Sequence, residues 1–535
     1  MKKILTIVLF ITIFLLGTSL RFYKLGDIPN SLDWDEASWG YNAFSILATG
    51  KDEYGSAYPL SFKAFGDYKQ PVYVYAEILP MELFGVNAFS VRFPSAFFGS
   101  FTVPFVFLLV YELFRKKHYA KPAAFLSMLF LAISPWQIQF SRVAFESVLG
   151  LFFVVFGVWV FLRGLRLEKK WYFFASAILL ALSAYSYHAQ KLFTPILVVG
   201  LILFAKDYFL KHRKLLIIFG ICFVLFNSLW LLDSRTTARG KSVLFTSDQT
   251  QLLKNPLVES NQDAQNNQKF FNVVHNRRII YAEKFVSNYV NHFNLNWLFV
   301  EGDLARHHAP GMGLLYLVSL PFILMGIYFL LTYERMNALL LGYWFLLAPI
   351  AGSLVTGSPN AERALIMLPI WQILEAFGFM QLVKIIKKKA IFIGVVSIVV
   401  CLYLFSFVLY THQYFHHTNT DFDRYWQYGY QQAVTFVRQP QFIDKKIYFA
   451  QDIEQGYIFY LFYNQIDPKV YLASGGSNRL QNSCYSITNA YFGTCNKTAG
   501  DIFVTSKEIK QHNYTLLKTI PYSFGDTAVF VYTIQ

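Results

Sequence analysis

Long apolar segments alternate with shorter polar ones from the N-terminus to about residue 410. A helix that crosses a hydrocarbon core about 30 Å thick needs about 20 mostly apolar residues. By this criterion the predicted spans number about eleven, and they are 4–20, 91–114, 122–135, 148–162, 171–185, 192–208, 215–232, 313–331, 338–355, 364–383 and 390–410. The pattern therefore predicts an α-helical polytopic membrane protein.

The pattern changes in the tail, where the density of apolar residues falls after about Phe422. A helical pattern near 426–437 is followed by short alternating runs that are typical of strands. These runs are 446–450, 501–505, 514–522 and 527–534. The sequence therefore predicts a transmembrane domain over 1–410 and a small α/β domain over 411–535.

Basic residues cluster in alternate connections between the predicted spans, at 2–3, 115–117, 163–170, 211–214 and 387–389. Lys and Arg resist translocation and accumulate in short cytoplasmic loops. This rule places the N-terminus in the cytoplasm. It places the long connections 21–90 and 233–312, and the tail after 411, on the outer side of what we expect to be a plasma membrane.

Two of these segments have a second interpretation. The run 4–20 follows two lysines and ends in small residues, as a secretory signal peptide does, but we expect a retained helix because it anchors the first outer loop. The connection 233–312 begins rich in Asn and Gln and then becomes amphipathic. That pattern suits a lid over a substrate, and a plain connecting segment is equally consistent with it.

The composition agrees with a membrane protein, since 55% of residues are hydrophobic and only 15% are charged. The net charge of +15 falls largely in the predicted cytoplasmic loops, where anionic lipid headgroups are sufficient partners. No basic stripe with interleaved aromatic residues is visible. The sequence therefore predicts membrane lipids as partners and no binding of nucleic acid.

Two of the four cysteines lie close together in the predicted outer tail, at Cys484 and Cys495. An oxidising compartment favours disulfide formation, so we expect this pair to close a small loop. Two unpaired thiols are the alternative. The remaining pair, Cys222 and Cys401, lies within predicted spans.

Carboxylates are concentrated in the first outer loop, at Asp27, Asp33, Asp35 and Glu36. Acidic side chains beside a membrane face are candidates for general base catalysis. Neighbouring side chains diverge on either a strand or a helix, so Asp35 and Glu36 do not both point at one proton. The alternative is a solvated acidic turn that caps a helix of the loop.

Six segments of the chain carry a resemblance to a known family. The sequence resembles the C-type (GT-C) membrane glycosyltransferases, specifically the group of protein O-mannosyltransferases and lipid A aminoarabinose transferases. The segments occur in order along the chain and fall mostly on the predicted outer side. They are 21–25 with 33–37, 67–75, 84–96, 134–147, 301–311 and 358–369.

This resemblance implies transfer of a sugar from a polyprenyl-phosphate donor to an outer acceptor, which could be a lipid, a protein or a cell-wall glycan, with inversion at the anomeric carbon. The displacement passes through an oxocarbenium-like state, in which a carboxylate takes the proton of the attacking oxygen. By alignment with the family's acidic pair, Asp35 is the expected base. Glu36 is expected to orient the acceptor or a cation.

The leaving phosphate needs cations, and the candidates are Lys69, Arg92, Arg142, Arg306 and Arg363. Each falls at or just outside the outer end of a predicted span, where a charge is costly without a partner. Lys69 and Arg142 match family positions best. Alternatively, some of these side chains contact lipid headgroups or pair with Glu146, Glu301 or Glu362. Arg142 and Glu146 are four residues apart, and on a helix this spacing allows their side chains to pair.

A divalent metal and a sugar-stacking residue complete the expected site. In an extended segment Asp33 and Asp35 would share one side, as a divalent ion requires. The oligosaccharyltransferase relatives use a metal and the O-mannosyl and aminoarabinose relatives are not thought to need one, so no cofactor is certain. Tyr68 is a candidate for stacking on the sugar, and Glu146 for a supporting role.

A transporter or flippase of an anionic lipid-linked substrate is the alternative function. Such a protein would also use intramembrane arginines and an outer acidic loop. Here the candidate residues cluster on one face of the predicted membrane, and no internal repeat is found. The sequence therefore favours chemistry at an interface.

Overall fold

The computed structural model describes residues 2–232, 244–247, 252–267 and 275–535. The chain forms two compact units, each built from three stretches. The helical unit comprises Met1–Gly17, Gly99–Ile138 and Glu146–Phe407. The α/β unit comprises Thr18–Phe98, Gln139–Phe145 and Val408–Gln535.

The two units differ from the predicted division at residue 410. The first predicted outer loop belongs to the same compact unit as the tail, because its helix Trp34–Thr49 packs against the tail helices Gly456–Tyr463 and Pro468–Ala473. At the contact Gly40 lies against Phe462, whose ring a Cβ at position 40 would meet at 2.5 Å. Glycine is therefore required for this close approach.

Long apolar helices confirm the predicted fold class. In the described part of the chain, six helices are long and apolar enough to cross a membrane, or seven if the bent pair Ala120–Ala132 and Pro135–Ser141 forms one span. Each predicted span overlaps a helix, but several of these helices are short, so the predicted number of spans stays a prediction. The helices of 13 residues or more from residue 88 to residue 412 are Ala88–Phe114, Ala120–Ala132, Ser147–Leu167, Lys170–Ser186, Gln190–Phe204, Arg213–Leu232, Arg277–Asn291, Leu320–Tyr333, Arg335–Leu347, Ile370–Ile385 and Lys389–His412, and Lys2–Phe22 precedes them.

Two helices of the helical unit touch backbone to backbone. In Leu320–Tyr333, a Cβ at Gly326 would lie 1.8 Å from the carbonyl oxygen of Leu374. In the partner helix Ile370–Ile385, a Cβ at Gly378 would lie 1.8 Å from the carbonyl oxygen of Phe322. Small residues allow such close packing between membrane helices.

The α/β unit contains two sheets. A hairpin joins β1 (Phe62–Ala64) to β2 (Asp67–Lys69), with Phe62 opposite Lys69. The strands of the second sheet are β3 (Ile447–Phe449), β4 (Cys484–Ile487), β5 (Ala490–Gly493), β6 (Ile502–Thr505), β7 (Tyr514–Pro521) and β8 (Thr527–Ile534). Their order in the sheet is β4-β5-β3-β6-β8-β7, and β3 runs parallel to both β5 and β6. The predicted small α/β tail is thus present.

The tail sheet is held by apolar packing and one covalent link. The helix Gly456–Tyr463 is buried along nearly its whole length, and its Tyr460 ring contacts Phe449 of β3 and Phe492 of β5. A disulfide joins Cys484 to Cys495 beside the β4–β5 hairpin, which is the pair that the sequence singled out.

The predicted lid falls partly outside the described residues. Within the described part, the connection 233–312 contains the helices Lys254–Gln265 and Arg277–Asn291. The first of these has no buried residue. The lid stays a prediction.

A buried carboxyl group ties the first loop to the tail within the α/β unit. Glu53 is fully buried and accepts hydrogen bonds from Asn42 Nδ2 at 3.0 Å and from the Ser477 hydroxyl. The carbonyl of Glu53 also accepts from the Ser477 N–H at 2.9 Å. Burial raises the pKa of Glu53 to about 7.

This link predicts a pH-dependent stability. The folded pKa of Glu53 lies above its ordinary value of 4.5. The stabilisation of the folded state by the protonated Glu53 carboxyl group is therefore complete below about pH 4.5 and is lost as the pH rises through about 7. The difference between these two pKa values corresponds to about 3 kcal/mol in the free energy of unfolding. We expect the thermal midpoint of the wild type, measured by intrinsic fluorescence, to fall relative to that of Glu53→Gln between pH 5 and 8. Parallel curves for the two proteins would contradict this.

Candidate active site

The acidic stretch of the first loop begins the helix Trp34–Thr49. Asp33 is the N-cap, and its Oδ1 accepts a hydrogen bond from the N–H of Glu36 at 2.8 Å. The Glu36 carboxylate in return accepts from the Asp33 N–H at 3.2 Å, which completes a capping box. Asp35 therefore lies in the first helical turn, where the helix dipole favours a negative charge.

Glu36 is fully buried and forms an ion pair with Arg92. Its two carboxylate oxygens accept from Arg92 Nε at 2.9 Å and from Arg92 Nη2 at 3.0 Å. The Ala144 N–H donates to the same carboxylate at 3.1 Å. Within the protein the cation that Glu36 holds is the Arg92 guanidinium, and because its side chain is fully buried no face of it is open to a substrate. The predicted role of Glu36 in orienting the acceptor or a cation stays a prediction, and the burial does not favour direct contact with the acceptor.

All five N–H groups of Arg92 have partners. Besides its bonds to Glu36, the guanidinium donates to the carbonyls of Leu25 at 3.2 Å, Pro29 at 2.7 Å and Ser31 at 2.7 Å. A guanidinium has five N–H donors, so none is left for a phosphate. The prediction that Arg92 binds the donor phosphate does not fit this geometry.

Arg142 is likewise buried and bonded to backbone. Its guanidinium lies 5.1 Å from the ring of Tyr414 and 4.8 Å from that of Phe415. It donates at 2.9 to 3.4 Å to four carbonyls, those of Leu20, Arg21, Lys24 and Ile28. Its predicted phosphate-binding role does not fit this geometry either, because the side chain is completely buried and both Nη groups of the guanidinium donate to these carbonyls.

The two buried arginines have a shared effect that sequence reasoning missed. Together they bind seven carbonyls of the segment Leu20–Ser31, which leads into the helix Trp34–Thr49. Leu20 and Arg21 belong to the last turn of the helix Lys2–Phe22, whose final carbonyls have no partner within the helix, and the rest of the segment contains no strand or helix to satisfy those groups itself. The arginines thereby fix the approach to the helix that carries Asp35.

Asp35 is the carboxylate of this helical turn that remains partly open. It forms an ion pair with Lys69. The side chain of Asp35 is 32% exposed, whereas that of Lys69 is 8% exposed. Lys69 ends strand β2, and its ammonium lies 4.6 Å from the Trp39 ring and 5.6 Å from the Phe65 ring. The pair combines an accessible carboxylate with a sheltered cation, which suits proton removal next to a developing negative charge.

Comparisons with known proteins point to one fold. The family profile described as dolichyl-phosphate-mannose-protein mannosyltransferase matches residues 68–230, which is less than a third of the chain and includes Lys69. No curated protein sequence matches the chain. ArnT from Cupriavidus metallidurans superposes with a TM-score of 0.58 over 98% of this chain and 97% of that chain, at 12% identity. The chain has the GT-C fold.

A second GT-C structure shows a more partial similarity. The oligosaccharyltransferase of Archaeoglobus fulgidus superposes with a TM-score of 0.53 over 86% of this chain, at 14% identity. The present chain covers 64% of that protein's length. ArnT has also been solved with undecaprenyl phosphate, and the archaeal enzyme AglB with an inhibitory peptide and a dolichol-phosphate.

A divalent metal does not fit the predicted pair of aspartates. Asp33 and Asp35 are not in an extended segment, because Asp33 caps a helix whose first turn contains Asp35. The carboxylate of Asp33 is engaged by a backbone N–H, and that of Asp35 by the ammonium of Lys69, which would repel a metal ion. Among the described residues, no group of three or more suitable side chains could hold a metal.

Tyr68 does not share the face of Lys69. The two are consecutive in strand β2, and successive side chains of a strand point to opposite faces. Tyr68 is half-buried and lies opposite Lys63 of β1. Its predicted stacking on a sugar stays a prediction, and the strand geometry places such a sugar on the face opposite Lys69.

The other two predicted phosphate ligands, Arg306 and Arg363, belong to the helical unit. Arg306 and Arg363 are half-buried, and Arg363 donates to the carbonyl of Thr356 at 2.6 Å. Their segments are joined by Asp303, which accepts from the Ala361 N–H at 2.7 Å. Burial raises the pKa of Asp303, but His307 at 3.1 Å and backbone bonds outweigh it and hold the pKa below its usual value.

Glu146 also lies in the helical unit, immediately before the helix Ser147–Leu167, and is buried. This position gives it no access to solvent. Its supporting role, like the phosphate-binding roles of Arg306 and Arg363, stays a prediction.

Proposed function

We propose that this protein is a membrane glycosyltransferase that moves a sugar from a polyprenyl-phosphate donor to an acceptor by inverting displacement. The observation that carries the proposal is the Asp35–Lys69 pair, an accessible carboxylate beside a buried cation. The GT-C fold and the mannosyltransferase profile over residues 68–230 support the same class of reaction. ArnT with undecaprenyl phosphate and AglB with a dolichol-phosphate support a lipid-phosphate donor.

The residues of the pair have complementary roles in this reaction. The acceptor oxygen attacks the anomeric carbon while Asp35 takes its proton, and the bond from that carbon to the phosphate oxygen breaks. The electron pair stays on the phosphate, and Lys69 supplies positive charge for it. In the free protein the same ammonium pairs with the Asp35 carboxylate, so the base and the cation lie side by side before the substrates bind.

The location follows the distribution of basic residues. We propose a plasma membrane, a cytoplasmic N-terminus, and an outer location for the first loop and the tail after 411. In this arrangement residues 1–410 form the transmembrane catalytic domain and 411–535 the outer domain. Arg306 and Arg363 remain proposed phosphate ligands. Membrane lipids, the donor and the acceptor are the proposed partners, and nucleic acid is not.

The function is tested by incubating the purified protein with radiolabelled polyprenyl-phosphate monosaccharides and host membrane extract. We expect label to move from at least one donor into a new product. A chelator is expected to leave this transfer unchanged. Tight binding of a donor with no transfer from any of them would favour the transporter interpretation, which the fold and the family profile do not favour.

Replacement of Lys69 by Ala tests the cation of the proposed site. A charged hydrogen bond contributes about 1.5–3 kcal/mol, so we expect kcat/KM for the donor to fall about 10- to 100-fold. The decrease should appear in steady-state transfer assays over a range of donor concentrations. Lys518→Ala, an exposed substitution on β7, is the matched control and should behave as wild type. Equal kinetics for both variants would remove Lys69 from the mechanism.

A further inference from the structure

The α/β unit contains a cavity of about 690 Å³ that the reaction described so far does not use. One wall is the β1–β2 hairpin, with Lys63 and Phe65. The opposite walls belong to the tail and include residues near Tyr457, Gln481 and Tyr485. Its volume is in the range of pockets for small ligands.

The chemistry of the cavity walls is aromatic and amide-rich. Half-buried rings of Tyr54, Phe65 and Tyr485 offer apolar faces, and exposed side-chain amides lie around them. Of the described residues that line the cavity, only Lys63 carries a full charge, and its ammonium lies over the Tyr54 ring at 4.8 Å. The lining amides are those of Gln451, Gln455, Gln481 and Asn482.

These walls suit a neutral polyhydroxyl ligand. A sugar presents C–H faces that pack on aromatic rings, and hydroxyls that both donate and accept hydrogen bonds, as amides do. A strongly anionic or cationic ligand would meet one charge at most, and that charge is Lys63. The lining therefore favours a glycan over a charged peptide or a phosphate.

The cavity adjoins the proposed catalytic pair through Phe65. The Phe65 ring lines the cavity, contacts Tyr457 at 6.2 Å and lies 5.6 Å from the ammonium of Lys69. Lys69 in turn contacts Asp35. A ligand in the cavity would thus rest on the hairpin that positions the cation of the site.

The far wall of the cavity is constrained before any ligand binds. The Cys484–Cys495 disulfide links the ends of the β4–β5 hairpin, and Thr494 donates to the carbonyl of Ser483 at 2.6 Å. Ser477, another lining residue, is bonded to Glu53. A preformed wall lowers the entropy cost of binding.

We propose that this cavity binds the acceptor and that the acceptor is a neutral glycan. The inference rests on the proposed function, because it assigns the second substrate of the same reaction. In that reaction a glycan hydroxyl forms the new bond to the anomeric carbon and gives its proton to Asp35. The donor phosphate leaves with the electron pair of the broken bond.

Binding is tested first, with the full-length Asp35→Asn protein in detergent, so that no turnover occurs. The probes are neutral trisaccharides of glucose, mannose, galactose and N-acetylglucosamine, and a Ser/Thr-rich peptide, measured by saturation-transfer NMR. We expect at least one trisaccharide to bind and Gln451→Ala/Gln481→Ala to weaken it about tenfold. The matched control is Gln441→Ala, which alters an exposed amide away from the cavity.

Transfer kinetics then separate this inference from the proposed function. With the active protein, the double Gln variant should raise the KM for the bound trisaccharide about tenfold and leave the KM for the donor unchanged. Binding that depends on both amides without any transfer would uphold the cavity and overturn the glycosyltransferase function. Failure of every trisaccharide to bind, binding of the peptide alone, or equal affinity in the double variant and the control would overturn the cavity assignment.

Discussion

Replacing Asp35 by Asn is expected to reduce the rate of sugar transfer by about 10²- to 10⁴-fold. The amide has nearly the shape of the carboxylate but cannot take the acceptor's proton at neutral pH. Asp35 is partly exposed in the first turn of its helix, so the substitution should leave the fold intact. The measurement is kcat with a saturating polyprenyl-phosphate sugar, together with donor binding to the same protein.

The control for this experiment is Asp27→Asn, which changes another exposed carboxylate of the same loop. It should transfer at the wild-type rate. If Asp35→Asn also kept that rate, the base would have to be a different group. Loss of donor binding along with transfer would instead indicate that the negative charge of Asp35 is needed to hold Lys69 in place.

Replacing Glu36 by Gln is expected to destabilise the protein by about 3–5 kcal/mol, since it leaves the buried guanidinium of Arg92 without its counter-ion. The measurement is the thermal midpoint in detergent and the yield of folded protein. The double substitution Glu36→Gln/Arg92→Leu removes the uncompensated charge. We expect it to recover part of the loss, although the carbonyls of Leu25, Pro29 and Ser31 would lose their donor.

This variant also decides between two roles for Glu36. A Glu36→Gln protein with wild-type stability but no transfer would return Glu36 to the catalytic role that the sequence suggested. Reduced stability with residual transfer in the folded fraction would support the positioning role inferred from its burial.

Sequence patterns predicted the fold class because apolar length and strand alternation are local properties. The spans near 91–114 and 148–162, for example, reappear as Ala88–Phe114 and Ser147–Leu167. The compact units were not predictable in this way. Packing of Gly40 against Phe462 joins residues more than four hundred positions apart, and no local pattern reports such a contact.

The site was predicted in part for the same reason. Asp35 and Lys69 stand out by residue type, and they do form a pair. Arg92 and Arg142 stand out equally by type, but their hydrogen bonds go to backbone carbonyls, which have no signature in the sequence. One available signal was the segment between Leu20 and Ser31, where the carbonyls of an irregular stretch around Pro29 would need donors from elsewhere.

The backbone contact between the helices Leu320–Tyr333 and Ile370–Ile385 limits how the helical unit can move. Gly326 and Gly378 each sit where a single methyl group would collide with a carbonyl of the other helix. If either helix slid along the other, the side chains next to its glycine would collide with the carbonyl of the partner helix. We therefore expect the two helices to move together as one rigid body. We therefore do not expect these two helices to separate and let a lipid pass between them.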